Sequence, residues 1–289
     1  MKNSYYQFFP FNFGGIKDQD LKKAKIIIIP VPYEVTTSYQ AGTRNGPRAI
    51  ITASRHLDEI WGEKILSKIE KEKLIYTTEE IELLGENEKE NLAGLTEFLK
   101  GIFKKNKIPF ILGGEHTLSF GAVKALKEKF KNFSLLQLDA HPDLRDEYLG
   151  NKFSHACVMR RIEELGIKIT AVGIRSVDCD VKNYIKEKKI KNIFYAPQIP
   201  VQKILKSLSK NVYLTFDFDA LDSSIMPSVG TPQPGGLGYY EVLNLIEKVA
   251  KNKNIIGADF VEFSPIPGLI APDFLAAKLI YKIITYILG

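Results

Sequence analysis

The chain has 289 residues and a formal charge of +6, from 40 Lys+Arg against 34 Asp+Glu. With 45% hydrophobic, 26% charged and 11% aromatic residues, it has the composition of a globular protein with a sizeable core, which excludes whole-chain disorder. Its two cysteines, Cys157 and Cys179, exclude a disulfide scaffold and a four-cysteine zinc site.

In chain order, short aliphatic or β-branched runs fall at 25–31, 74–77, 108–112, 133–138, 168–174, 191–195, 212–216 and 254–260. Most are continuously apolar, the pattern of strands buried on both faces of a parallel sheet. Helical patterns lie between them at 46–57, 88–105, 117–130, 156–165, 178–188, 201–208, 239–251 and 272–288. The first has Pro47 in its first turn, where the missing N–H costs nothing. This alternation predicts an α/β chain. No linker or repeat divides it, so residues 1–289 are expected to form a single domain. Periodicity leaves both a (β/α)₈ barrel and an open doubly wound sheet possible, and both place ligands at the carboxyl ends of the strands.

The longest aliphatic run, 26–29, is far below the roughly 20 residues that span a bilayer. Lys278 and Lys282 interrupt the apolar C-terminal stretch, which is expected to be a packed helix rather than a membrane anchor. No basic-then-apolar leader opens the sequence, so a cytoplasmic protein is expected. The lysines are mixed with glutamates at 68–73 and 186–191, as on solvated helix faces, so nucleic acid is not an expected partner. Histidine is the more informative residue. Of the four, His116, His141 and His155 lie close together in sequence, and His56 is expected to be structural on an early helix.

Three motifs follow three of the predicted strands. Gly113-Gly114-Glu115-His116 presents a histidine after a glycine pair that permits close backbone approach. Asp139-Ala140-His141-Pro142-Asp143 alternates ligand-type residues, which an extended segment would point to one side. Asp217-Phe218-Asp219 repeats that spacing. The bland alternatives are a structural loop histidine for the first, a solvated acidic loop for the second and an N-capping turn for the third, but a buried carboxylate at a strand end needs a partner. Together they offer two His and four Asp, more than one tetrahedral zinc can use. The set suits two cations bridged by shared carboxylates, and its nitrogen and oxygen donors favour an ion such as Mn²⁺ over Ca²⁺. Without cations, four clustered carboxylates would repel one another. His155, on the following loop, could be a structural residue or a proton shuttle. Glu262, after the last strand, could be salt-bridged or a receptor for a cationic substrate. The glycines at 235, 236 and 238 match no dinucleotide or phosphate loop, and a turn is expected there.

With these motifs in this order, the chain resembles the ureohydrolase family, which includes arginase and agmatinase. The stretch 33–50, with Thr36-Thr37-Ser38-Tyr39 and Gly42-Thr43-Arg44, is similar to agmatinases, as are Ser154-His155-Ala156-Cys157 and Gly173-Ile174-Arg175-Ser176. The resemblance implies an open three-layer α/β/α fold around an eight-stranded, mainly parallel sheet. It implies two Mn²⁺ ions. One would be held by His116, Asp139, Asp143 and Asp217, and the other by Asp139, His141, Asp217 and Asp219. Asp139 and Asp217 would bridge.

Asp143, His155 and Glu262 would serve as catalytic residues: Asp143 orienting hydroxide, His155 relaying a proton and Glu262 anchoring a guanidinium. The implied reaction is hydrolysis of agmatine to putrescine and urea. Aminopropylagmatine, guanidinobutyrate, arginine and formiminoglutamate are alternative substrates, and a single-metal deacetylase-type amidohydrolase or a non-catalytic family member are alternative readings. Ser223 and Ser228 stand where the family usually has Pro and often has Gly, which bears on loop rigidity. Arginine is disfavoured because Leu144-Arg145-Asp146-Glu147 replaces the asparagine-bearing loop of arginases and Ser176 replaces an acidic residue. The expected partner is a small cationic guanidine. A homo-oligomer, trimer or hexamer, is implied, with Tyr5, Tyr6, Phe8, Phe9, Phe11 and Phe13 packing on a neighbour or back on the chain itself.

Overall fold

The computed structural model describes residues 9–57, 68–69 and 71–289. All eight expected strands form: β1 (Ile26–Val31), β2 (Ile75–Thr77), β3 (Ile108–Gly113), β4 (Ser134–Leu138), β5 (Lys168–Ile174), β6 (Ile193–Tyr195), β7 (Asn211–Asp217) and β8 (Asn254–Val261). They make one sheet in the order β2-β1-β3-β8-β7-β4-β5-β6, and every pairing between these strands is parallel. β2 and β6 are free edges, so the sheet is open rather than a closed barrel.

The uninterrupted apolar runs have a direct explanation. In β1 every residue is buried, and successive side chains enter opposite layers. Ile26 and Ile28 join the core on one face, while Ile27, Ile29 and Val31 join the core on the other. The first layer is closed by α1 (Gly46–Ser54), α6 (Val201–Ser207), α7 (Tyr239–Asn252) and α8 (Ala271–Leu288), through residues such as Ile50, Ile204, Ile246 and Ile280. The second is closed by α2 (Glu88–Lys104), α3 (Leu118–Lys129), α4 (Val158–Glu164) and α5 (Cys179–Glu187), through Leu95, Val123, Ile162 and Val181. The result is three layers, helix on sheet on helix. Helix starts carry local signals. Asn87 Oδ1 accepts the Glu90 N–H at 3.0 Å, and Asp178 Oδ1 accepts the Val181 N–H at 2.9 Å.

Of the N-terminal aromatics, Tyr5, Tyr6 and Phe8 lie outside the described residues. Phe13 is fully buried and stacks on Tyr281 at 5.8 Å. Phe9 and Phe11 lie on the surface beneath the Arg55 guanidinium, so the described part of this segment folds back on its own chain. His56, just past α1, is exposed and packs edge-on against Phe9 at 6.0 Å.

The sheet order brings the carboxyl ends of β3, β8, β7 and β4 side by side in the middle of the molecule. The loop after β3 is laid tightly on its neighbours. Gly114 N donates to Val31 O at 3.1 Å, Glu115 N donates to Tyr33 O at 3.0 Å, and Gly114 O accepts from Glu262 N at 2.8 Å. A Cβ on Gly114 would sit 1.8 Å from Tyr33 O, so only glycine fits without moving backbone. Gly114→Ala is therefore expected to cost about 1–3 kcal/mol. Urea unfolding would register this as a lowered midpoint, and an unchanged midpoint would contradict the close approach.

Candidate metal centre

Four adjacent strand ends supply the ionisable side chains. His116 follows β3, Asp139, His141 and Asp143 follow β4, Asp217 closes β7 with Asp219 just beyond it, and Glu262 follows β8. The alternation expected of an extended segment is not what makes them converge. β4 ends at Leu138, and Asp143 takes a left-handed backbone conformation with φ of 48°. Asp139 Oδ1 accepts the His141 N–H at 2.6 Å, a tight Asx-type turn. Asp219 lies in a 3-10 turn (Phe218–Ala220), with its N–H donating to Asp217 Oδ1 at 2.8 Å. The ligand-type atoms are thus gathered by turns rather than by one strand face.

Two clusters result. His116 Nδ1 lies 3.2 Å from Asp139 Oδ2, 3.0 Å from Asp143 Oδ2 and 3.4 Å from Asp217 Oδ2. His141 Nδ1 lies 2.8 Å from Asp219 Oδ2 and 3.7 Å from Asp139 Oδ1. Asp139 thus has one oxygen in each cluster. Asp217 stands in the first and is tied to Asp219 of the second through its Oδ1. Each cluster has a donor set able to hold a metal ion.

Hydrogen bonds orient these donors. His116 Nε2 is 2.8 Å from Thr215 Oγ1, which lies 3.1 Å from Ser119 Oγ. That leaves Nδ1, which is buried and has no hydrogen-bond partner, as the nitrogen available to an ion. Gln137 Nε2 donates to Asp139 Oδ2 at 2.8 Å and to His141 O at 3.0 Å, and Ala140 N donates to Asp219 Oδ1 at 2.9 Å. The orphaned nitrogen, the carboxylate oxygens around it and the absence of thiolates from the clusters fit a pair of divalent ions.

The electrostatics reflect the crowding. Burial disfavours a charged His116, yet Asp139, Asp143 and Asp217 outweigh it and raise its pKa well above the ordinary value. Burial likewise opposes charge on His141, but Asp219 and Asp139 push it up to about 12. Burial, then the Asp139 charge, pushes Asp143 up to about 7. Burial, then Asp219 and Asp139, raises Asp217 well above the carboxylate range. For Asp139 burial acts upward too, but its contacts with His116 and His141 hold it below the usual value. The cluster is acidic enough to draw positive charge wherever it can.

His155 and Glu262 line the same cavity, which encloses about 240 Å³. Burial, then the positive charge at His116 and His141, lowers His155 to about 4. Glu262 has a φ of 62°, and its Oε1 accepts the His116 N–H at 2.7 Å. Burial, then the charge of Glu115, raises Glu262 well above its ordinary range. The outer wall carries Tyr39, Arg145, Tyr148 and Asp178. Arg145 Nη2 pairs with Asp178 Oδ2 at 2.8 Å, and its guanidinium stands 5.0 Å from the Tyr148 ring centre.

A family model for the Arginase family matches residues 24–285. The chain belongs to the arginase family. It is 38% identical over 275 residues to N(1)-aminopropylagmatine ureohydrolase of Thermus thermophilus, covering 93% of this chain and 92% of that one. It is 37% identical over 276 residues to the protein of that name from Synechocystis, covering 91% and 89%. Agmatinase of Pyrococcus horikoshii is 34% identical over 271 residues, covering 92% and 93%. Among solved structures, agmatine ureohydrolase of Thermoplasma volcanium superposes with a TM-score of 0.81 at 29% identity, covering 98% of this chain and 96% of that one. The arginase-like fold is thus shared, and the protein is a hydrolase acting on guanidino compounds. The family depends on a binuclear metal site, and the two Asp/His clusters are this chain's counterpart. Among the described residues, no helix is long and apolar enough to cross a membrane.

Several polar residues of this arginase-family site are given no role by the sequence motifs, although Arg175, Glu115 and Thr36 stand within them. Gln137 and Thr215 interrupt otherwise apolar strands, which is a legible signal, since a polar group in such a run needs a partner. Arg175 donates from Nη2 to Asp219 O and to Gln233 O, both at 2.7 Å, joining the metal loop to the turn before α7. The glycine turn there also forms as expected, with Gly235 and Gly236 N–H donating to Asp222 Oδ2 at 2.7 and 2.8 Å. Glu115 and Thr36 carry no comparable signal, because their contact spans distant parts of the chain.

Asp139→Asn is expected to weaken binding at both clusters, because one carboxylate serves both. Metal analysis after equilibrium dialysis should find less than one ion per chain, and retention of two would refute the shared role. Ion binding must also displace protons from His141 and Asp143. Since Asp143 is pushed up to about 7, affinity should rise with pH through neutrality and fall below it. Calorimetric titrations in buffers of different ionisation enthalpy would count the protons released. A pH-independent affinity from about pH 6 to 8 would contradict this.

Proposed function

We propose that the protein is a manganese-dependent ureohydrolase whose substrate is a guanidine with a cationic tail, agmatine or N(1)-aminopropylagmatine. The products are urea and the corresponding polyamine. The observation that carries the reading is Glu262. It is a half-buried carboxylate on the cavity wall, its Oε1 is fixed by the His116 N–H, and it lines the same cavity as the ion-binding clusters.

His116, Asp139, Asp143 and Asp217 would hold one ion, and Asp139, His141, Asp217 and Asp219 the other. Two divalent cations there would lower the pKa of water and supply hydroxide at neutral pH. Glu262 receives the guanidinium through paired charge-assisted hydrogen bonds and sets the reacting carbon against the clusters. Its raised pKa falls as the cationic group arrives, since an opposite charge favours the carboxylate. Asp143 orients the attacking oxygen. His155, uncharged at neutral pH, passes a proton between solvent and the leaving amine. The mixed nitrogen and oxygen donors support manganese over a softer or a purely oxygen-bound ion.

Names borne by the relatives support an amine-bearing tail. Those at 37–38% identity are N(1)-aminopropylagmatine ureohydrolases, and an agmatinase stands at 34%. On the outer wall, Arg145 is neutralised by Asp178, so it offers no free cation to a carboxylate tail such as that of guanidinobutyrate or arginine. Cys157 and Cys179 are unpaired, which suits a reducing cytoplasm. Assembly as a trimer or hexamer belongs to the same reading.

Urea release with added Mn²⁺ across agmatine, N(1)-aminopropylagmatine, guanidinobutyrate and arginine tests this. The two amines should exceed the two acids in kcat/KM by at least about tenfold, as expected when a charge is mismatched. Highest turnover of an acid would overturn the tail assignment, and no urea from any of them would overturn the activity. His155→Ala should keep its metal and lose about 10²-fold or more in kcat. Undiminished turnover would remove His155 from the mechanism.

A further inference from the structure

Behind His155 lies a buried carboxylate with no assigned role. Glu115 is fully buried between Gly114 and His116. Its Oε1 accepts the backbone N–H groups of Val35 and Thr36, and its Oε2 is bonded to the Thr36 hydroxyl. The same Thr36 oxygen is 3.1 Å from His155 Nδ1 and 3.2 Å from the His155 backbone nitrogen.

Counting protons and lone pairs decides the arrangement. A hydroxyl has one proton to give and two lone pairs to receive. Burial raises the Glu115 pKa, but two backbone N–H groups and a hydroxyl converge on its oxygens, a set of donors that suits the carboxylate. A carboxylate can only accept, so the Thr36 proton goes to Glu115. The His155 backbone N–H occupies one lone pair of the Thr36 oxygen. The remaining lone pair meets Nδ1, and a hydrogen bond forms there only if Nδ1 carries the ring proton. Ser154 Oγ, 3.4 Å from Nδ1, can serve as donor or acceptor and does not oppose this choice. In a neutral imidazole one nitrogen is protonated and the other is not.

We propose that Glu115 and Thr36 are positioning residues that hold neutral His155 in its Nδ1–H tautomer. Nε2, the ring nitrogen away from Thr36, then keeps its lone pair and is the atom that takes up a proton. The catalytic consequence rests on the ureohydrolase reading, whereas the tautomer does not. Burial keeps His155 uncharged at neutral pH, so its tautomer is what governs the direction of proton transfer.

The isosteric change Glu115→Gln inverts the logic. The two backbone N–H groups still require an oxygen at the Oε1 position, which places the amide NH₂ against Thr36. That NH₂ donates to the Thr36 oxygen, and the hydroxyl proton turns to Nδ1. His155 then becomes the Nε2–H tautomer.

The test is nitrogen-15 NMR of the histidine rings in the full-length protein loaded with Zn²⁺ as a diamagnetic ion. The chain has four histidines, and the His155 signals are assigned by their loss in His155→Asn. Wild type should show a protonated Nδ1, and Glu115→Gln a protonated Nε2, with the metal content of both unchanged. Thr36→Val should lose the preference, and Thr36→Ser, which keeps the hydroxyl, should restore it. With Mn²⁺ and the best guanidine, Glu115→Gln should lose at least about tenfold in kcat with KM nearly unchanged, as expected of impaired proton transfer. A protonated Nε2 in wild type overturns the proposal, as does an unchanged tautomer in both Glu115→Gln and Thr36→Val. If no guanidine is hydrolysed, the activity reading fails while the NMR result still decides the tautomer.

Discussion

The governing constraint is the crowding of negative charge at the centre of the sheet's carboxyl edge. Asp139, Asp143, Asp217, Asp219 and Glu115 are buried together, with the half-buried Glu262 at their edge, and the six come from four strand ends. Two like charges about 4 Å apart repel by roughly 4 kcal/mol at an effective dielectric constant of 20, so such a group cannot stand uncompensated. The fold supplies compensation in layers. Backbone N–H groups of Ala140, His141, His116 and Asp219 each donate to a carboxylate oxygen. The same carboxylates raise the proton affinity of His116 and His141, whose ring nitrogens can carry a proton or give that place to a cation. What these leave over is the demand for cations, and the orphaned Nδ1 of His116 marks where one is met.

This demand dictates the local backbone. Asp217 is still extended at the end of β7, but the other carboxylates lie past their strands, where the chain has turned. Asp143 and Glu262 accept left-handed conformations that residues with a Cβ seldom adopt. Gly114 lets the loop after β3 lie directly on the segment after β1, which brings Glu115 to Thr36 and His116 to Glu262. Each local cost is held in place by a neighbour that the same loop supports.

The sequence makes the strands and the ligands easy to find. Strands buried on both faces are apolar almost throughout, so 26–31 or 108–113 stand out without any alternation. Open sheet and barrel differ only in whether the edges meet, and no run of apolar residues carries that information. The ligand residues stand out because carboxylates and imidazoles after an apolar strand have few bland explanations. Their route of convergence is hidden, since nothing in Asp139–Asp143 announces a positive φ at Asp143. Glu115 is hidden for a different reason. Beside His116 it resembles one more acidic loop residue, and its meaning depends on Thr36, which the fold brings up from far earlier in the chain.

The outer cavity is harder still to read, because its wall is assembled from loops on several different strands. Arg145 follows β4 and Asp178 follows β5, and their ion pair exists only once those strands are neighbours. This separation has a consequence for selectivity. The residues able to hold ions lie within a few positions of the strand ends, whereas Tyr39, Arg145, Tyr148 and Asp178 line the cavity from loops. Those loops can change without moving a ligand, provided that they are not tied to one. Arg175 is such a tie, because it grips the carbonyl of Asp219 and that of Gln233 together. A change in the turn before α7 therefore reaches the second cluster through Arg175. The cavity wall is thus constrained where Arg175 anchors it and where the Tyr148 ring meets His155 edge-on at 5.9 Å, and is freest at the exposed Tyr39.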